Sequence, residues 1–222
     1  PDLITVRGAK LLSEADVIIY AGSLVNPALL EYAKEGCEIY DSAKMTLEQV
    51  IEVMKSAEAQ GKTTVRLHTG DSSIYGAVRE QFDKLIELGI EYDVCPGVSS
   101  MSGAAAALKA EYTLPEVSQT VIVTRMEGRT PVPEKEKLRL LASHGATMVL
   151  FLSVGLLDGV QQELMAGGYA PETPAAIVYK ASWPDEKIFR CRLCDLKETA
   201  EKNNVKKTAL ILVGHFLGDE YA

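Results

Sequence analysis

Residues 63–88, TTVRLHTGDSSIYGAVREQFDKLIEL, contain the repeating unit of the fold. The first six residues are rich in apolar and β-branched side chains and predict a buried strand. A glycine-bearing loop follows, and a helix is predicted from about Ile74 to Leu88. Open α/β sheets bind their ligands at the carboxyl ends of strands. The unit therefore predicts an α/β fold with a candidate ligand loop between strand and helix.

The same strand–helix order extends through the first half of the chain. Short apolar runs that end in glycine or turn residues are typical of buried strands. The repeated order predicts a mainly parallel sheet with helices on both faces. Strands are expected over residues 16–22, 37–41 and 92–95, and helices over 26–33, from Thr46 (with Leu47, Val50, Ile51 and Met54 on one face) and near 102–109.

A change of pattern around Pro115 predicts a domain boundary within residues 110–116. The chain has 222 residues, enough for two domains of about 100 each. We predict an N-terminal α/β domain over residues 1–110 and a C-terminal α/β domain over residues 116–222. Few long crossovers separate the later strands, which indicates a mixed sheet. These strands are expected over residues 120–124, 147–152, 175–179, 187–192 and 208–214, with helices near 134–143 and 156–165.

Composition excludes some classes of function. The net charge of −8 argues against nucleic acid and anionic membranes as partners, because both select basic surfaces. No apolar run approaches the roughly 18 residues that span a bilayer, and the start shows no signal-peptide pattern. A cytoplasmic location is expected. Cys191 and Cys194 form a Cys-x-x-Cys without a second pair, which favours reduced structural cysteines, so no metal site is predicted.

Two loops follow predicted strands of the first half and are candidate ligand loops. In residues 67–76, Gly70 allows close approach of the backbone to a ligand; the alternative is an ordinary turn in which Asp71 or Ser72 caps the next helix. In residues 95–107, small side chains permit close packing of a ligand, or of the helix on its sheet. Neither loop decides between these alternatives alone.

A third candidate lies in the second half, where Arg125 and Arg129 flank Gly128 in a proline-stiffened loop. Arginine binds carboxylates through two parallel hydrogen bonds, so the pair is a candidate anchor for an acidic ligand. The alternative is a solvated connection in which neighbouring glutamates balance the charge. The three histidines, His68, His144 and His215, lie in separate elements without metal-ligand spacing and favour structural roles. No serine–histidine–aspartate triad and no dinucleotide fingerprint is present.

Taken in order, these motifs resemble the tetrapyrrole (corrin/porphyrin) methylase family over essentially the whole chain. Within the family, the resemblance is greatest to the members that methylate C11 of precorrin-4 or cobalt-precorrin-4. Family members carry a strand and a Gly-x-Gly-Pro-Gly-Asp-Pro loop before the Asp-Leu-Ile-Thr that stands here at residues 2–5, so we expect that about ten residues precede Pro1, including a central strand. The segments that carry the resemblance are residues 16–27, 69–76, 96–101, 124–131 and 179–184.

The resemblance implies an S-adenosylmethionine-dependent methyltransferase of the corrin pathway. Its active site would lie in a cleft between the two domains, lined by residues 69–76 and 96–101, and the protein would be a homodimer. No general base is implied. The alternatives are a corrin-pathway methylase of different regiospecificity and a non-catalytic S-adenosylmethionine- or corrinoid-binding protein. Carried over by position, the cofactor contacts are Thr69, Gly70, Asp71, Ile74, Tyr75, Ser99, Ser100, Met101, Leu152, Ala181 and Thr208. We further expect Arg125, Arg129 and Lys180 to hold the carboxylates of the substrate.

Overall fold

The computed structural model describes residues 1–218 and divides the chain into two compact units, Pro1–Ser99 and Ser100–Ala222. This division lies earlier in the chain than the predicted boundary at residues 110–116. It falls directly before the alanine-rich helix, which therefore belongs to the second unit. No helix within residues 1–218 is long and apolar enough to cross a membrane.

The first unit contains a three-stranded sheet in which every strand pair is parallel, as the sequence predicts. In this sheet the first strand in the chain is central, flanked by the second and the third. Short 3₁₀ helices connect the strands at Gly22–Leu24, Pro27–Tyr32 and Ser42–Lys44. The helices are α1 (Val6–Glu14), α2 (Leu47–Ala59) and α3 (Arg79–Glu87), and the strands are β1 (Val17–Tyr20), β2 (Glu38–Asp41) and β3 (Thr64–Leu67).

Apolar clusters on the two faces of this sheet hold the first unit together. On one face, Val50, Ile51 and Met54 of α2 are buried against Val17 and Ile19 of β1, which confirms the predicted apolar face of that helix. A capping box between Thr46 and Gln49 fixes where α2 begins. On the other face, Leu12 of α1 is buried in one cluster with Ile18 of β1, Leu67 of β3 and Val25, which follows the first 3₁₀ helix.

Two sequence predictions for the first unit are wrong. Helix α3 begins at Arg79 rather than near Ile74, because Tyr75 (φ 54°) and Ala77 (φ 50°) have left-handed backbone conformations that a right-handed helix excludes. Residues 92–95 do not form a strand. They are mostly exposed, and no described strand lies beside them to supply the hydrogen bonds that a strand requires.

The second unit contains a five-stranded mixed sheet, as predicted. The strands are β4 (Val121–Arg125), β5 (Thr147–Phe151), β6 (Pro174–Tyr179), β7 (Lys187–Arg192) and β8 (Ala209–Val213), and the helices are α4 (Ser100–Leu108), α5 (Leu138–Ala142), α6 (Leu157–Ala166) and α7 (Leu196–Lys202). Strands β4 and β5 are parallel, whereas the β5–β8, β8–β6 and β6–β7 pairs are antiparallel, in the order β4-β5-β8-β6-β7.

Helix α4 belongs to the second unit because its buried face covers the second sheet. Ala104 and Leu108 lie in one apolar cluster with Val149 of β5 and Val178 of β6. The side chain of Arg190, on β7, donates a hydrogen bond to the carbonyl oxygen of Leu108 at 2.9 Å, which satisfies a carbonyl at the end of the helix. The opposite face of the sheet is covered by α5, α6 and α7.

Candidate active site

The loop after β3 is held in an irregular conformation by Asp71. Oδ1 of Asp71 accepts hydrogen bonds from the backbone N–H of Ser73, at 2.9 Å, and from the Ser73 hydroxyl, which closes a turn. The hydrogen bond from Ser73, followed by that from Gly97, lowers the pKa of Asp71, so this side chain is a carboxylate at neutral pH. Asp71 therefore caps a turn rather than α3, whose first turn receives no side-chain cap. Thr69 and Gly70 are exposed on this loop, and Gly70 has φ 59°.

The two candidate loops of the first unit contact each other. Oδ2 of Asp71 accepts the backbone N–H of Gly97 at 2.8 Å. A Cβ atom placed on Gly97 would lie 2.0 Å from the carbonyl oxygen of Gly70, a distance that no side chain could accept. Glycine is therefore required at position 97 by the close approach of the loops. Ser99 lies two residues further on and is half-buried.

Beneath these loops lies a polar network centred on Arg66 of β3. Its guanidinium donates hydrogen bonds to the carbonyl oxygen of Ile19 (3.0 Å), to Oγ of Ser42 (3.0 Å) and to Oε1 of Gln81 (3.3 Å). Burial lowers the pKa of Arg66. The network joins the carboxyl ends of β1 and β3 to α3 and so supports the loop between β3 and α3.

His68 follows β3, on the same side of the strand as Arg66. Its Nε2 is buried and has no hydrogen-bond partner among residues 1–218. Burial, and then the positive charge of Arg66, lowers the pKa of His68 to about 4. His144 and His215 are exposed.

In the second unit, Leu152 lies directly after β5 and combines backbone strain with exposure. It has φ 53°, and 69% of its surface is exposed although its neighbour Ser153 is completely buried. The Ser153 hydroxyl accepts the backbone N–H of Met126 at 2.7 Å and donates to the carbonyl oxygen of Phe151, also at 2.7 Å. These hydrogen bonds hold the end of β5 beside the start of the loop that contains Arg129.

Lys180 and Thr208 lie side by side at the adjoining ends of β6 and β8. The backbone N–H of Lys180 donates to the carbonyl oxygen of Thr208 at 2.9 Å, and both residues have left-handed backbones (φ 47° and 57°). Such values are rare outside glycine, above all for a β-branched residue, and strained residues cluster at functional sites. Ala181 is half-buried, and a Cβ on Gly103 of α4 would lie 3.5 Å from its Cβ.

The side chain of Lys180 already has partners in the second unit. Its Nζ lies 2.7 Å from Oδ2 of Asp185, and 5.2 Å and 5.4 Å from the ring centres of Trp183 and Tyr179. The hydrogen bond to Asp185 raises the pKa of Lys180. Lys180 is therefore a cation at neutral pH, and an acidic ligand would compete with Asp185 for it.

The structure gives the two predicted arginine anchors different environments. Arg125 donates hydrogen bonds to the carbonyl oxygens of Thr130 (3.1 Å) and Pro131 (3.0 Å), so its guanidinium folds back onto its own loop. Arg129 is exposed and forms no ion pair within the described part of the chain; Glu134 pairs instead with Lys137 at 2.7 Å. The alternative in which Arg129 pairs with Glu134 is therefore not realised.

The remaining sequence candidates contribute no metal site. No group of three or more histidine, cysteine or acidic side chains in residues 1–218 could hold a metal ion. Cys191 and Cys194 are free thiols, and burial raises the pKa of each. A separate cavity of about 410 Å³, lined by residues that include Met126, Leu156, Asp158 and Lys197, contains no predicted site residue.

Residues 1–197 match the family described as tetrapyrrole (corrin/porphyrin) methylases. The chain belongs to this family. It is 61% identical, over 100% of its length, to the cobalt-precorrin-4 C(11)-methyltransferase of Methanocaldococcus jannaschii, of which it covers 85%. It is 45% identical, over 99% of its length, to the precorrin-4 C(11)-methyltransferase of Pseudomonas aeruginosa, of which it covers 87%.

Solved structures of tetrapyrrole methylases agree with the fold. The X-ray structure of a cobalt precorrin-4 methyltransferase matches 98% of this chain and 91% of its own, with a TM-score of 0.96 and 48% identity. The uroporphyrin-III C-methyltransferase of Thermus thermophilus, complexed with S-adenyl homocysteine, matches 98% of this chain and 93% of its own, with a TM-score of 0.80 and 27% identity. The resemblance to the tetrapyrrole methylases that the sequence motifs predict is therefore confirmed.

The sequence patterns do not identify two residues whose hydrogen bonds support the candidate loops of this tetrapyrrole methylase. Arg66 and Ser153 lie within or directly after predicted strands, where side chains ordinarily serve packing. No motif distinguishes them, because their importance depends on hydrogen bonds to Gln81 and Met126, which are distant from them in the chain.

Proposed function

We propose that this chain transfers a methyl group from S-adenosylmethionine to C11 of cobalt-precorrin-4 in cobalamin biosynthesis. The observation that carries the proposal is 61% identity over the whole chain to a relative with that activity in its name, supported by a second relative, from Priestia megaterium, at 49% identity over 96% of the chain. Two relatives whose names give precorrin-4 without cobalt, and the same C11 position, are 45% and 44% identical to this chain.

The first unit provides a backbone-lined site that fits S-adenosylmethionine. Thr69 and Gly70 are exposed at the carboxyl end of a parallel sheet, where α/β proteins bind nucleotides, and Gly97 leaves no Cβ between the two loops. We propose Thr69, Gly70, Asp71, Ile74, Tyr75 and Ser99 as its contacts from this unit. Asp71 would act by fixing the loop, since its hydrogen bonds to Ser73 and Gly97 use both carboxylate oxygens.

We propose further cofactor contacts in the second unit, at its strained strand ends. Leu152 and Thr208 combine a left-handed backbone with exposure, which suits presentation of a backbone group to a ligand. Ala181 follows strained Lys180 on the neighbouring strand. Ser100 and Met101 at the start of α4 complete the proposed set.

We propose Arg129 as the main anchor for the carboxylates of the tetrapyrrole, with Lys180 as a second cation. Arg129 is exposed, and its guanidinium can form two parallel hydrogen bonds to one carboxylate. Arg125 would act chiefly by holding the loop through Thr130 and Pro131. These cations would offset the repulsion between an acidic substrate and a chain of net charge −8.

The protein's contribution to the reaction would be alignment. S-adenosylmethionine, when bound, supplies an electrophilic methyl group, and the electron-rich macrocycle supplies the carbon nucleophile. The residues of this chain would bind and orient both ligands, which lowers the barrier by fixing the distance and angle between reacting atoms. No step is assigned to a general base: the hydrogen bonds that lower the pKa of Asp71 make its carboxylate a weak proton acceptor, and the raised pKa of Lys180 keeps that side chain protonated.

Methyl transfer tests the proposal directly. The purified protein is incubated with S-adenosylmethionine labelled in its methyl group and with either cobalt-precorrin-4 or metal-free precorrin-4, and product mass is recorded. One labelled methyl group per macrocycle supports the proposal. Binding of both ligands without transfer would favour a non-catalytic binding protein and contradict it.

We also propose a homodimer in the cytoplasm; a monomer mass by light scattering at micromolar concentration would contradict the dimer.

A further inference from the structure

The completely buried Ser153 links the end of β5 to the loop that contains Arg129. Its hydroxyl accepts a hydrogen bond from the backbone N–H of Met126, the first residue after β4. The same hydroxyl donates a hydrogen bond to the carbonyl oxygen of Phe151, the last residue of β5. Strands β4 and β5 are parallel and in register up to Arg125 and Phe151, so both bonded groups lie at the same edge of the sheet.

The hydroxyl takes the place of a ladder hydrogen bond that the backbone cannot form. At Leu152 the chain leaves the extended conformation, with φ 53°, and the regular pairing of β4 with β5 ends. The Met126 N–H would then be without a partner, and a buried unpaired N–H is costly. Ser153 supplies the acceptor and thereby allows Leu152 to turn outward while Met126 stays beside β5.

Met126 in turn fixes the base of the arginine loop. Its side chain packs against the apolar cluster beneath the sheet, and a Cβ on Gly159 of α6 would lie 3.0 Å from its Cε. Gly128 lies against Leu156, to whose Cδ1 a Cβ would come within 3.4 Å. The segment between Arg125 and Arg129 thus rests on the segment that follows Ser153.

We propose that Ser153 is a positioning residue that couples the two ligand sites of the second unit: through Phe151 it sets the strained backbone of Leu152, and through Met126 it sets the loop that presents Arg129. The inference rests on the proposed function, because Leu152 and Arg129 matter here as contacts to the cofactor and the tetrapyrrole. It predicts that loss of one hydroxyl, which itself touches neither ligand, weakens the binding of both.

The test compares Ser153→Ala with Thr147→Val. Thr147 begins β5, at the opposite end from Ser153, is 1% exposed, and donates a buried hydrogen bond to the carbonyl oxygen of Tyr112 at 2.8 Å. Each variant therefore removes one buried hydroxyl near the same strand. The Kd of S-adenosylhomocysteine is measured by calorimetry and the Kd of cobalt-precorrin-4 by absorption titration. Both values should be about 10-fold higher for Ser153→Ala and near the wild-type values for Thr147→Val. Ser153→Thr, which keeps the hydroxyl, should recover part of the affinity.

Two further measurements separate positioning from general destabilisation. Hydrogen exchange of the Met126 amide should accelerate in Ser153→Ala and not in Thr147→Val. The effect of Arg129→Ala on tetrapyrrole binding should be smaller in the Ser153→Ala background than in wild type, because the arginine is then already misplaced. Equal Kd values for Ser153→Ala and Thr147→Val would overturn the positioning role of Ser153 and leave the proposed function intact. Additive effects of Ser153→Ala and Arg129→Ala on tetrapyrrole binding would do the same. A wild-type protein that binds neither ligand would overturn the proposed function as well.

Discussion

The carboxylate of Asp71 accepts the backbone N–H of Gly97 at 2.8 Å and so joins the loop after β3 to the segment before α4. The two residues are 26 positions apart, and their contact brings together backbone that the proposed function assigns to S-adenosylmethionine. Because the same carboxylate also orders Ser73, one side chain determines the conformation of both loops.

Asp71→Ala should weaken S-adenosylhomocysteine binding about 10-fold and lower the free energy of unfolding by about 1–3 kcal/mol, the range for loss of a buried or charged hydrogen-bond partner. Calorimetry and urea denaturation measure the two effects. Asp83→Ala is the control, since the side chain of Asp83 on α3 is half-exposed and forms a surface ion pair with Arg79. If the two variants bind the ligand equally well, Asp71 does not organise the site.

Gly70→Val should abolish measurable binding of S-adenosylmethionine, because a branched side chain would occupy the space where the backbone approaches the ligand. Position 70 has φ 59°, so valine should also cost about 1–2 kcal/mol in the free energy of unfolding. Gly61→Val separates the two effects: Gly61 has φ 67° and open space around it, away from the candidate loops. Undiminished affinity in Gly70→Val would remove Gly70 from the site.

The low pKa of His68 makes the stability of the protein depend on pH. A histidine with a pKa of 6.5 when unfolded and about 4 when folded binds its proton first in the unfolded chain. Stability therefore falls as pH decreases from about 6.5 to about 4, by about 1–3 kcal/mol for this group alone, because its partial exposure screens the charge. His68→Gln should reduce that loss in urea denaturation, measured as the difference from wild type at each pH.

His144→Gln, which replaces an exposed histidine, controls for removal of an imidazole from the surface. A His68→Gln variant whose free energy of unfolding follows the wild-type pH dependence would show that the environment of His68 does not exclude the proton. The same comparison at neutral pH reports whether the unpartnered Nε2 has a stabilising role.

The alternation of strand-forming and helix-forming segments is sufficient to predict both sheets, because the residue types of apolar runs such as Val17–Tyr20 and Ala209–Val213 identify them as buried strands. It is insufficient where tertiary contacts decide the backbone. Nothing in the sequence predicts a left-handed conformation at Leu152 or Thr208, since neither residue type favours it. The late start of α3 depends in the same way on the turn at Asp71. Whether residues 92–95 form a strand depends on the presence of a neighbouring strand to pair with.

Arg129→Ala should weaken tetrapyrrole binding roughly 10- to 100-fold, because a charge-assisted hydrogen bond contributes about 1.5–3 kcal/mol and each 1.4 kcal/mol changes affinity tenfold. Binding of S-adenosylhomocysteine should change little. Arg129→Lys should recover only part of the loss, since an ammonium cannot form two parallel hydrogen bonds. Absorption titration measures the effect.

Arg139→Ala is the matched control for charge, because Arg139 is exposed on α5 of the same unit and pairs with Glu163 at 2.7 Å. Removal of this arginine lowers the net charge equally. Tetrapyrrole affinity that falls by the same factor in both variants would indicate a general electrostatic effect and would contradict an anchoring role for Arg129.

The position of the transferred methyl group decides whether the protein methylates C11. The protein is incubated with S-adenosylmethionine carrying ¹³C in its methyl group and with cobalt-precorrin-4, and the product is examined by NMR. We expect a single enriched methyl resonance whose couplings place it on C11. A methyl group on any other ring carbon, or an unlabelled macrocycle under conditions in which both ligands bind, would contradict it.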